Sequence, residues 1–304
     1  MIVTCAAALR AEFSPGKYPP RHAPTARGAF LVAPASAALA TESTADNRYM
    51  AAAPTLDLAR ARTQHDALAR ALGDDLPVVT FAGDPACPDG LFPNNVFATA
   101  RGRFIVGRMR HAVRQREARR DDIRRFLRDM LGYAEIDLSR EAFVAELTGA
   151  LVIDRARGIG YCGLSERCDL AGARAMHAAF GLHLTFAFPL AAGEYHTNVV
   201  LAVLGGRAAL VAADGFANAD DAQAIADVYG GGAIALDAAQ KNAFSGNAIA
   251  LSPRRAWLSA RGAEALHASQ LAVLEKRGFQ LGCVALDEIE KAGGSLRCCV
   301  AEIF

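Results

Sequence analysis

The chain has 304 residues, of which 52% are hydrophobic and 21% are charged, so its composition is typical of a folded globular protein and excludes a disordered one. Lysine and arginine number 33 and aspartate and glutamate 32. The resulting net charge of +1 predicts no general attraction to nucleic acid or to anionic lipid.

The seven cysteines are an odd number, and their spacing matches neither a disulfide framework nor a zinc site. This usage favours reduced thiols and a cytoplasmic protein. No apolar run approaches the roughly 20 residues that span a bilayer, and the first residues lack the charged leader of a signal peptide.

Two parts of the chain are predicted. Residues 14–28 are rich in proline, glycine, arginine and histidine, so residues 1–28 are expected to form a loosely ordered N-terminal extension. Residues 29–304 are expected to form one domain, which is large enough to fold without a disulfide or metal staple.

Pairs of apolar segments recur along the chain with a period of about fifty residues. Short polar or glycine-containing links join the two members of each pair, which is typical of β-hairpins. The predicted pairs are Val96–Ala100 with Arg103–Gly107, Ala150–Asp154 with Ile159–Gly163, Val199–Leu204 with Ala208–Ala213, and Ala248–Ser252 with Arg255–Ala260.

A helical pattern and a further strand follow each hairpin. The predicted helices are Arg116–Leu131, Asp169–Phe180, Asp220–Tyr229 and Ala263–Arg277. The closing strands are Glu135–Leu138, His183–Phe188, Ala233–Leu236 and Leu281–Leu286. Fragments of a fifth unit lie at the two ends of the chain, at Phe30–Pro34, Thr55–Leu72, Val78–Phe81 and Cys299–Phe304.

This ββαβ repeat predicts a five-bladed α/β propeller around a pseudo-fivefold axis. Joining the first and last strands would close the ring and leave few exposed strand edges. An ordinary α+β sandwich fits the repeat equally well, so both architectures stay open at this point.

Cys298 stands in the sequence Gly293-Gly294-Ser295-Leu296-Arg297-Cys298 near the end of the chain. Glycines let the backbone approach a bound ligand closely, and the neighbouring arginine favours a thiolate. The structural alternative is a buried, unreactive thiol, because free cysteine is among the most buried residue types.

His196 and Asn198 precede the apolar segment 199–204, where an extended backbone would place both side chains on one side. This histidine is a candidate general acid/base, although a structural histidine is as common. Glu146 leads into the segment 150–154, and a buried acid there needs a partner. It is a candidate to orient His196.

Asp89 and the sequence Phe92-Pro93-Asn94-Asn95 lie just before another predicted strand. Consecutive asparagines after proline usually form only a turn. The functional alternative is a set of carboxylate and amide groups that bind a planar polar substrate.

The segment 101–128 contains eleven arginines. The acids within it are Glu117, Asp121 and Asp122, and Asp129 follows directly. A solvated helix face with internal ion pairs is favoured over an RNA-binding surface, because no aromatic residues alternate with the arginines in the way single-strand binders require. A non-catalytic RNA- or anion-binding protein is the alternative of another functional class.

Taken together, the motifs GGSLRC, YHTN, ELTG, FPNN and GLSER resemble those of the guanidine-modifying superfamily, whose members have the pentein fold. The superfamily includes arginine deiminases, dimethylarginine hydrolases and arginine:glycine amidinotransferases. The chain looks most like the amidinotransferase branch that includes citrulline-utilisation hydrolases and arginine dihydrolases. The resemblance extends from about Phe30 to Phe304 and implies a five-bladed propeller.

The resemblance also implies roles for particular residues. Cys298 matches the nucleophile, His196 matches the general acid/base, and Glu146 matches the acid that holds the imidazole. The match at Glu146 is imperfect, because Leu147 stands where the family usually has glycine.

Asp89, Asn95 and Asn198 match residues that bind the planar head of the substrate. Arg114, 19 residues after Asn95, and Arg167 match two arginines that bind the substrate α-carboxylate. Paired arginines suit planar carboxylate recognition.

Deiminases have aspartates at the positions of Asn95 and Asn198. Amides can also bond a neutral ureido group, so the chain is predicted to hydrolyse the guanidino or ureido group of an arginine- or citrulline-type amino acid through a thiouronium-like intermediate. The expected products are ornithine, carbon dioxide and ammonia. Deimination and amidinotransfer by the same site stay open. No metal, cofactor, nucleic acid or membrane partner is implied, and a homo-oligomer is left open.

Overall fold

Sixteen strands form five small sheets in the computed structural model, which describes residues 1–14, 16–50 and 55–304. The strands are β1 Ile2–Val3, β2 Gly28–Val32, β3 Val78–Phe81, β4 Phe97–Ala100, β5 Arg103–Val106, β6 Ala134–Asp137, β7 Leu151–Asp154, β8 Ile159–Leu164, β9 Leu184–Pro189, β10 Leu201–Leu204, β11 Ala208–Val211, β12 Ala233–Ala235, β13 Ile249–Ala250, β14 Arg255–Ser259, β15 Gln280–Val284 and β16 Ala301–Ile303.

Every sheet repeats one pattern, in which an inner strand pairs antiparallel with a middle strand, and the middle strand pairs parallel with an outer one. In the sheet β4-β5-β6, Phe97 of β4 lies opposite Val106 of β5, and Arg103 of β5 lies opposite Ala134 of β6. Two parallel strands cannot be joined by a tight turn, so the chain must cross over between the middle and the outer strand, and helical segments form these crossovers. The other sheets are β7-β8-β9, β10-β11-β12, β13-β14-β15 and β16-β2-β3.

The fifth sheet joins the two ends of the chain, because β16 pairs antiparallel with β2 and Ala301 lies opposite Phe30. The predicted five-bladed α/β propeller closed by its first and last strands is therefore confirmed, and the α+β sandwich is wrong. Apolar side chains fill the space between neighbouring blades. For example, the rings of Phe30 and Phe97 lie 6.4 Å apart, centroid to centroid.

The helices form the crossovers and the turns between blades. They are α1 Ala6–Glu12, α2 Thr41–Thr44, α3 Leu58–Leu72, α4 Ala112–Gln115, α5 Asp121–Arg125, α6 Leu147–Ala150, α7 Leu170–Phe180, α8 Thr197–Val200, α9 Ala219–Tyr229, α10 Ala238–Asn242, α11 Ala260–Glu264, α12 Ala268–Lys276, α13 Asp287–Glu290 and α14 Leu296–Cys299. Short 3₁₀ turns occur at Pro88–Leu91, Pro93–Asn95, Glu117–Arg119, Ala213–Gly215 and Gly230–Gly232, and a π-helical turn occurs at Phe126–Met130.

The long crossover helices begin at side-chain caps. Asp57 accepts a hydrogen bond from the backbone N–H of Arg60, and Asp169 accepts one from Gly172. Such caps satisfy N–H groups that have no partner within the helix. Helix α3 then buries Ala61, Leu68 and Leu72 on the face toward the core.

Two helices predicted as continuous are broken. Residues 116–131 form a 3₁₀ segment, an α segment and a π segment. Arg120, whose ψ is 88°, separates the 3₁₀ segment from the other two. Residues 263–277 are interrupted before α12, where the side chain of Gln270 bonds the backbone N–H of His267 and starts a new helix.

A short helical turn precedes the inner strand of several blades, and it extends into a predicted strand in some of them. Residues Thr197–Val200 are helical, so β10 begins at Leu201 rather than at Val199. Equivalent turns precede three other inner strands, at Pro93–Asn95, α6 and α14. In the remaining blade, Phe244 turns the chain with a φ of 64°. These turns lie at one end of the ring.

The first residues pack on the outside of the propeller, although a loosely ordered extension is expected from the sequence. Strand β1 pairs in parallel with β9 and covers the edge of that sheet. Helix α1 buries Ala6 and Leu9 and contacts α9. Residue 15 of the expected extension lies outside the described residues, and the boundary between 28 and 29 stays a prediction.

Most arginines of the segment 101–128 that lie in its helical part are paired with acids. The pairs are Arg114 with Glu117, Arg120 with Asp122, Arg124 with Glu135 and Asp137, and Arg128 with Asp129 and Glu135. This agrees with the favoured interpretation of internal ion pairs. Within the described residues, no helix is both long and apolar enough to cross a membrane.

Candidate active site

The predicted catalytic residues lie at the end of the ring where the short turns meet. Cys298 belongs to α14, Glu146 immediately precedes α6, and His196 immediately precedes α8. All three side chains are buried, and Cys298 is 1% exposed. Residues far apart in the sequence therefore meet because each stands at the same place in its own blade.

Glu146 and His196 form a hydrogen-bonded pair, with 2.8 Å between Glu146 Oε2 and His196 Nε2. The other carboxylate oxygen accepts from the backbone N–H of Arg110 at 3.0 Å. Burial opposes ionisation of Glu146, but the charge of Arg167, 3.2 Å away, and the bond from His196 outweigh it and lower the pKa of Glu146. The acid is therefore ionised.

Burial lowers the pKa of His196, against the opposing effect of Glu146. A neutral imidazole that donates its Nε2–H to a carboxylate has a free lone pair on Nδ1. Nδ1 of His196 has no hydrogen-bond partner among the described residues. This nitrogen can accept a proton from a group in the site.

Cys298 receives two amide hydrogen bonds. Asn247 Nδ2 lies 3.3 Å from its sulfur and Asn198 Nδ2 lies 3.6 Å from it. These bonds favour a thiolate, but burial dominates and raises the pKa of Cys298. Cys298 is therefore a thiol with two N–H donors directed at its sulfur.

A buried cavity of about 10 Å³, which is room for about one water molecule, lies beside this sulfur. It brings together five of the residues predicted to carry the function, namely Cys298, Asp89, Asn95, Arg114 and Arg167. The rest of its wall consists of Ser43, Asn47, Phe92, Tyr195 and Ala292, Gly293 and Gly294.

Several buried polar atoms around the cavity lack a partner among the described residues. They include Asp89 Oδ1, Asn95 Oδ1 and the imidazole Nδ1 of His196. Unpaired buried polar atoms are rare in proteins and call for an explanation, and a polar ligand would supply the missing bonds. Burial raises the pKa of Asp89, while the charge of Arg114 opposes this effect.

Gly149 lets two of these atoms approach each other. A Cβ at this position would lie 2.5 Å from Asn95 Oδ1 and 2.8 Å from His196 Nδ1, closer than real Cβ atoms come to such neighbours. Glycine is required here because of this close approach rather than because of its φ angle. The general acid/base candidate and the amide of Asn95 are therefore neighbours.

Arg114 is already bound on two of its nitrogens. Its Nε and Nη2 lie 2.8 and 2.9 Å from the two carboxylate oxygens of Glu117, and Nη2 also donates to the carbonyls of Asp89 and Phe92. The same guanidinium borders the cavity. Through these two carbonyl bonds Arg114 stabilises the segment that contains Asp89.

Arg167 is likewise engaged, by Asp46. Its Nη2 lies 2.5 Å and its Nε 3.0 Å from the carboxylate oxygens of that residue. Asp46 also receives a bond from His111 at 3.0 Å. A substrate carboxylate would have to replace Asp46 to bind Arg167 in a bidentate manner. The carboxylate-binding roles of Arg114 and Arg167 thus stay predictions.

Sequence reasoning missed several residues of the site. Ser43 donates to Asp89 at 2.5 Å, and Asn47 and Tyr195 both bond the carbonyl of Gly293, at 3.2 and 2.5 Å. Asn247 bonds the sulfur of Cys298 and stands two residues before its inner strand.

Asn95 stands at the same offset, two residues before β4. Aligning the repeats on their inner strands would have identified Asn247 as well. The segment that carries Ser43, Asp46 and Asn47 has no such repeat signal.

No group of three or more His, Cys, Asp or Glu side chains within the described ranges is arranged to hold a metal ion. A buried cysteine, histidine and glutamate at the axis of a five-bladed α/β ring, next to unpaired acceptors and guanidinium groups, define a guanidine-modifying hydrolase of the pentein superfamily.

The chain belongs to the N,N-dimethylarginine dimethylhydrolase family, because the eukaryotic model of this family matches residues 33–304. No curated protein matches this chain by sequence.

Solved structures of three proteins share the fold. The N-terminal domain of ArgZ, an arginine dihydrolase from the ornithine–ammonia cycle in Cyanobacteria, solved as a Cys→Ser variant bound to substrate, matches with a TM-score of 0.79 at 17% identity, over 91% of this chain and 97% of that one. Unliganded AgrE matches with a TM-score of 0.78 at 18% identity, over 91% of this chain and 39% of that one.

A dimethylarginine dimethylaminohydrolase, solved as the adduct of a His→Gly variant with S-methyl-L-thiocitrulline, matches with a TM-score of 0.71 at 18% identity. The match covers 92% of this chain and 100% of that one. At these identities the likeness establishes the fold.

Proposed function

We propose that this chain hydrolyses the guanidino or ureido group of an arginine- or citrulline-type amino acid, with Cys298 as nucleophile, and releases ornithine, carbon dioxide and ammonia. The observation that carries the proposal is the set of unpaired acceptors around one buried cavity that also contains the Cys298 thiol. Asp89 and Asn95 offer oxygens to a planar N–H donor, and His196 offers a lone pair.

The planar head of the substrate lies against Asp89, Asn95 and Asn198. A guanidinium donates N–H groups to the unpaired oxygens of Asp89 and Asn95. Its positive charge also favours the ionised form of Asp89, which compensates for the burial that raises the pKa of this acid.

The same cation activates the nucleophile. A positive charge next to Cys298 favours its thiolate, so deprotonation is coupled to substrate binding. The thiol proton passes to the free lone pair of His196, and the sulfur attacks the central carbon to form a C–S bond. Amide donors from Asn198 and Asn247 hold the sulfur in place.

His196 then returns its proton to the departing nitrogen, and the C–N bond breaks with release of ammonia. A water molecule next attacks the thiouronium-like carbon, gives its proton to His196 and displaces the sulfur. Glu146 keeps the imidazole oriented through its bond to Nε2 and stabilises the imidazolium in each half-reaction.

Arg114 and Arg167 hold the α-carboxylate at the far end of the substrate. Binding of Arg167 requires that its bond to Asp46 be exchanged for one to the substrate. Holding both ends of the substrate places the reacting carbon next to the sulfur and lowers the entropic part of the barrier.

The amide side chains of Asn95 and Asn198 favour a second round of hydrolysis after the first. One round on arginine consumes one water and gives citrulline and ammonia. A second round consumes another water and gives ornithine, carbon dioxide and a second ammonia. Amides bond the neutral ureido group of citrulline, whereas two carboxylates would favour only the cationic guanidinium.

A methylated arginine is the second candidate substrate, and the family match over residues 33–304 favours it. Hydrolysis of dimethylarginine at the same carbon would release dimethylamine and leave citrulline. Deimination and amidinotransfer start from the same attack of Cys298 on the guanidino carbon but expel different nitrogens. Deimination releases ammonia and leaves a thiouronium that carries the rest of the substrate, which water then resolves. Amidinotransfer releases ornithine and leaves an amidino group on the sulfur, which an amine then accepts.

A product assay tests the proposal. Purified protein is incubated separately with arginine, citrulline and asymmetric dimethylarginine, and ornithine, citrulline, ammonia and dimethylamine are quantified. Ornithine from both arginine and citrulline is expected. Accumulation of citrulline from arginine would indicate a deiminase, dimethylamine a dimethylarginine hydrolase, and a new guanidino product with an added amine an amidinotransferase.

Adjacent cysteines supply a matched control for the nucleophile. Cys298→Ser is expected to abolish turnover while the protein stays folded. Cys299→Ser is expected to retain turnover, because Cys299 is equally buried but does not border the cavity. Turnover retained by Cys298→Ser would remove Cys298 from this role.

A further inference from the structure

A second cavity, of about 720 Å³, lies at the opposite end of the ring from Cys298. The candidate catalytic residues precede the inner strands, whereas this cavity is bordered by residues that follow them. Residues 101–103 form the turn after β4, Arg155 follows β7 and Phe304 follows β16. Residues 21–27 complete the wall. We refer to it as the basal cavity.

The basal cavity has a strongly positive lining. Its titratable side chains, apart from Tyr133, are Arg21, His22, Arg27, Arg101, Arg103 and Arg155. No aspartate or glutamate among the described residues borders it. The net charge of the chain is only +1, so this concentration of arginine is local and not a consequence of composition.

These arginines lack the acidic partners that others in the same segment have. Arg21, Arg101 and Arg103 make no side-chain hydrogen bond or ion pair with any described residue, and Arg27 bonds only the hydroxyl of Tyr133. By contrast, Arg120, a neighbour in the segment 101–128, is paired with an acid. No described aspartate or glutamate lies within ion-pair distance of these basal arginines.

Arg155 also borders the basal cavity, and its charge is poorly compensated. It donates to the carbonyl of Thr99 at 3.0 Å, and among the described side chains its one carboxylate neighbour is Glu302, at 3.8 Å. Burial lowers the pKa of Arg155 to about 10. A buried guanidinium without a close counter-ion is costly, and a bound anion would relieve that cost.

The size and shape of the basal cavity favour a small molecule with an organic part. Its volume falls within the range of about 300–1,000 Å³ that ligand pockets have, and it far exceeds what a single phosphate needs. Apolar side chains of Leu131, Ile153, Phe180 and Leu182 form part of the wall. A nucleic-acid surface would instead spread its charges along a strand or groove.

We propose that the basal cavity binds an organic polyphosphate of about the size of a nucleoside triphosphate. Arg21, Arg101 and Arg103 would bind phosphate oxygens, because guanidinium groups match phosphate geometry in a bidentate manner. The organic part would lie against the apolar wall next to Phe180. This site is separate from the proposed function, since its residues lie at the other end of the ring.

Calorimetric titration of the full chain tests the proposal, with ATP, AMP and inorganic triphosphate as probes. The variant Arg21→Glu/Arg101→Glu reverses two exposed charges at the basal cavity. The matched control Arg119→Glu/Arg125→Glu makes the same charge change at exposed arginines of the neighbouring helical segment that do not border this cavity.

We expect ATP to bind more tightly than AMP, because of its additional phosphates, and its binding to weaken with salt. The basal variant should lose at least about tenfold in ATP affinity, whereas the control should change by less than about twofold. Binding of inorganic triphosphate as tight as that of ATP would identify the phosphates alone as the recognised chemistry, without the organic part.

Failure of ATP and inorganic triphosphate to bind would overturn the proposal. So would equal weakening by both variant pairs, or a single-stranded RNA that binds far more tightly than ATP and depends on Arg119 and Arg125. The titrations use no amino acid substrate and include Cys298→Ser, so their outcome is independent of whether the catalytic proposal holds.

Discussion

Cys298, Asn95 and Asp89 border about 10 Å³ of space at one end of the ring, whereas Arg21 and Arg101 border about 720 Å³ at the other. The smaller cavity has unpaired acceptors, fixed hydrogen bonds and almost no solvent. The larger has unpaired cations, open space and few internal bonds. If the proposed function holds, unpaired buried atoms are a better guide than cavity size to the site of chemistry.

Glu146 and Glu302 give the sharpest contrast between the two ends. Glu146→Gln removes the charge that stabilises protonated His196, so we expect kcat to fall by about a thousandfold. Glu302→Gln removes the charge of an acid that is paired with Arg297 at 3.0 Å and lies 3.8 Å from Arg155 of the basal cavity. This variant should alter kcat far less. Steady-state kinetics of both variants measure the difference. Similar losses would contradict the division of roles between the two ends.

Gly149 tests how tightly the catalytic end is packed. Gly149→Ala places a Cβ against Asn95 and His196, and we expect kcat to fall by about a hundredfold because the imidazole is displaced. Gly28→Ala is the control, since its Cβ would meet Pro77 and Ile303 only at ordinary contact distances of 3.4–3.8 Å. Melting temperatures separate misplacement from unfolding. Unchanged kcat in folded Gly149→Ala would show that the site is looser than its geometry indicates.

The pH dependence of alkylation tests the state of the thiol. Because burial raises the pKa of Cys298, inactivation by neutral 2-chloroacetamide should still be increasing with pH above the range in which an ordinary thiol ionises. The cation 2-chloroacetamidine favours the thiolate on binding, so near pH 7.5 it should inactivate at least about tenfold faster than the amide. Cys298→Ser should block covalent labelling in both cases. Equal rates for the two reagents would argue against activation by a bound cation.

Asp46 is expected to give the smallest effect. Asp46→Asn weakens the ion pair with Arg167 that a substrate carboxylate would have to displace, so KM for arginine should fall by only a few fold. Arg167→Ala should raise KM for arginine but not for agmatine, which lacks the carboxylate. An equal rise for both substrates would show that Arg167 acts through Glu146 rather than on the substrate.

The sequence predicted the blades well because each repeats one hydrophobic pattern. Val78–Phe81 forms a strand with the predicted bounds, and the pairing of β16 with β2 closes the ring as expected. Prediction failed where apolar residues continue into a short helical turn. The run 199–204 looks like one strand, yet Val199 and Val200 are helical, because the chain must turn before it enters the sheet.

The sequence predicted residues of the candidate site only where they lie in recognisable motifs. Cys298, Asp89 and Asn95 border one cavity, whereas His196 and Glu146 do not line it. His196 lies beside Asn95 across Gly149 and is bonded to Glu146, so a site shared by all five residues stays a prediction. The ion pair between Arg167 and Asp46 could not be predicted, because Asp46 lies in a loop with no periodic sequence pattern. The paired state of Arg114 could not be predicted either, since the neighbouring Glu117 also fits a solvated helix face.

Closure of the ring has a consequence for the timing of activity. The nucleophile belongs to α14, which leads directly into β16, the strand that pairs with β2. A nascent chain that has not yet released residue 303 from the ribosome has four blades but no anchored sulfur. The amide donors Asn198 and Asn247 are therefore directed at this sulfur only after segments that are distant in the sequence have paired, so turnover is expected only once the ring has closed.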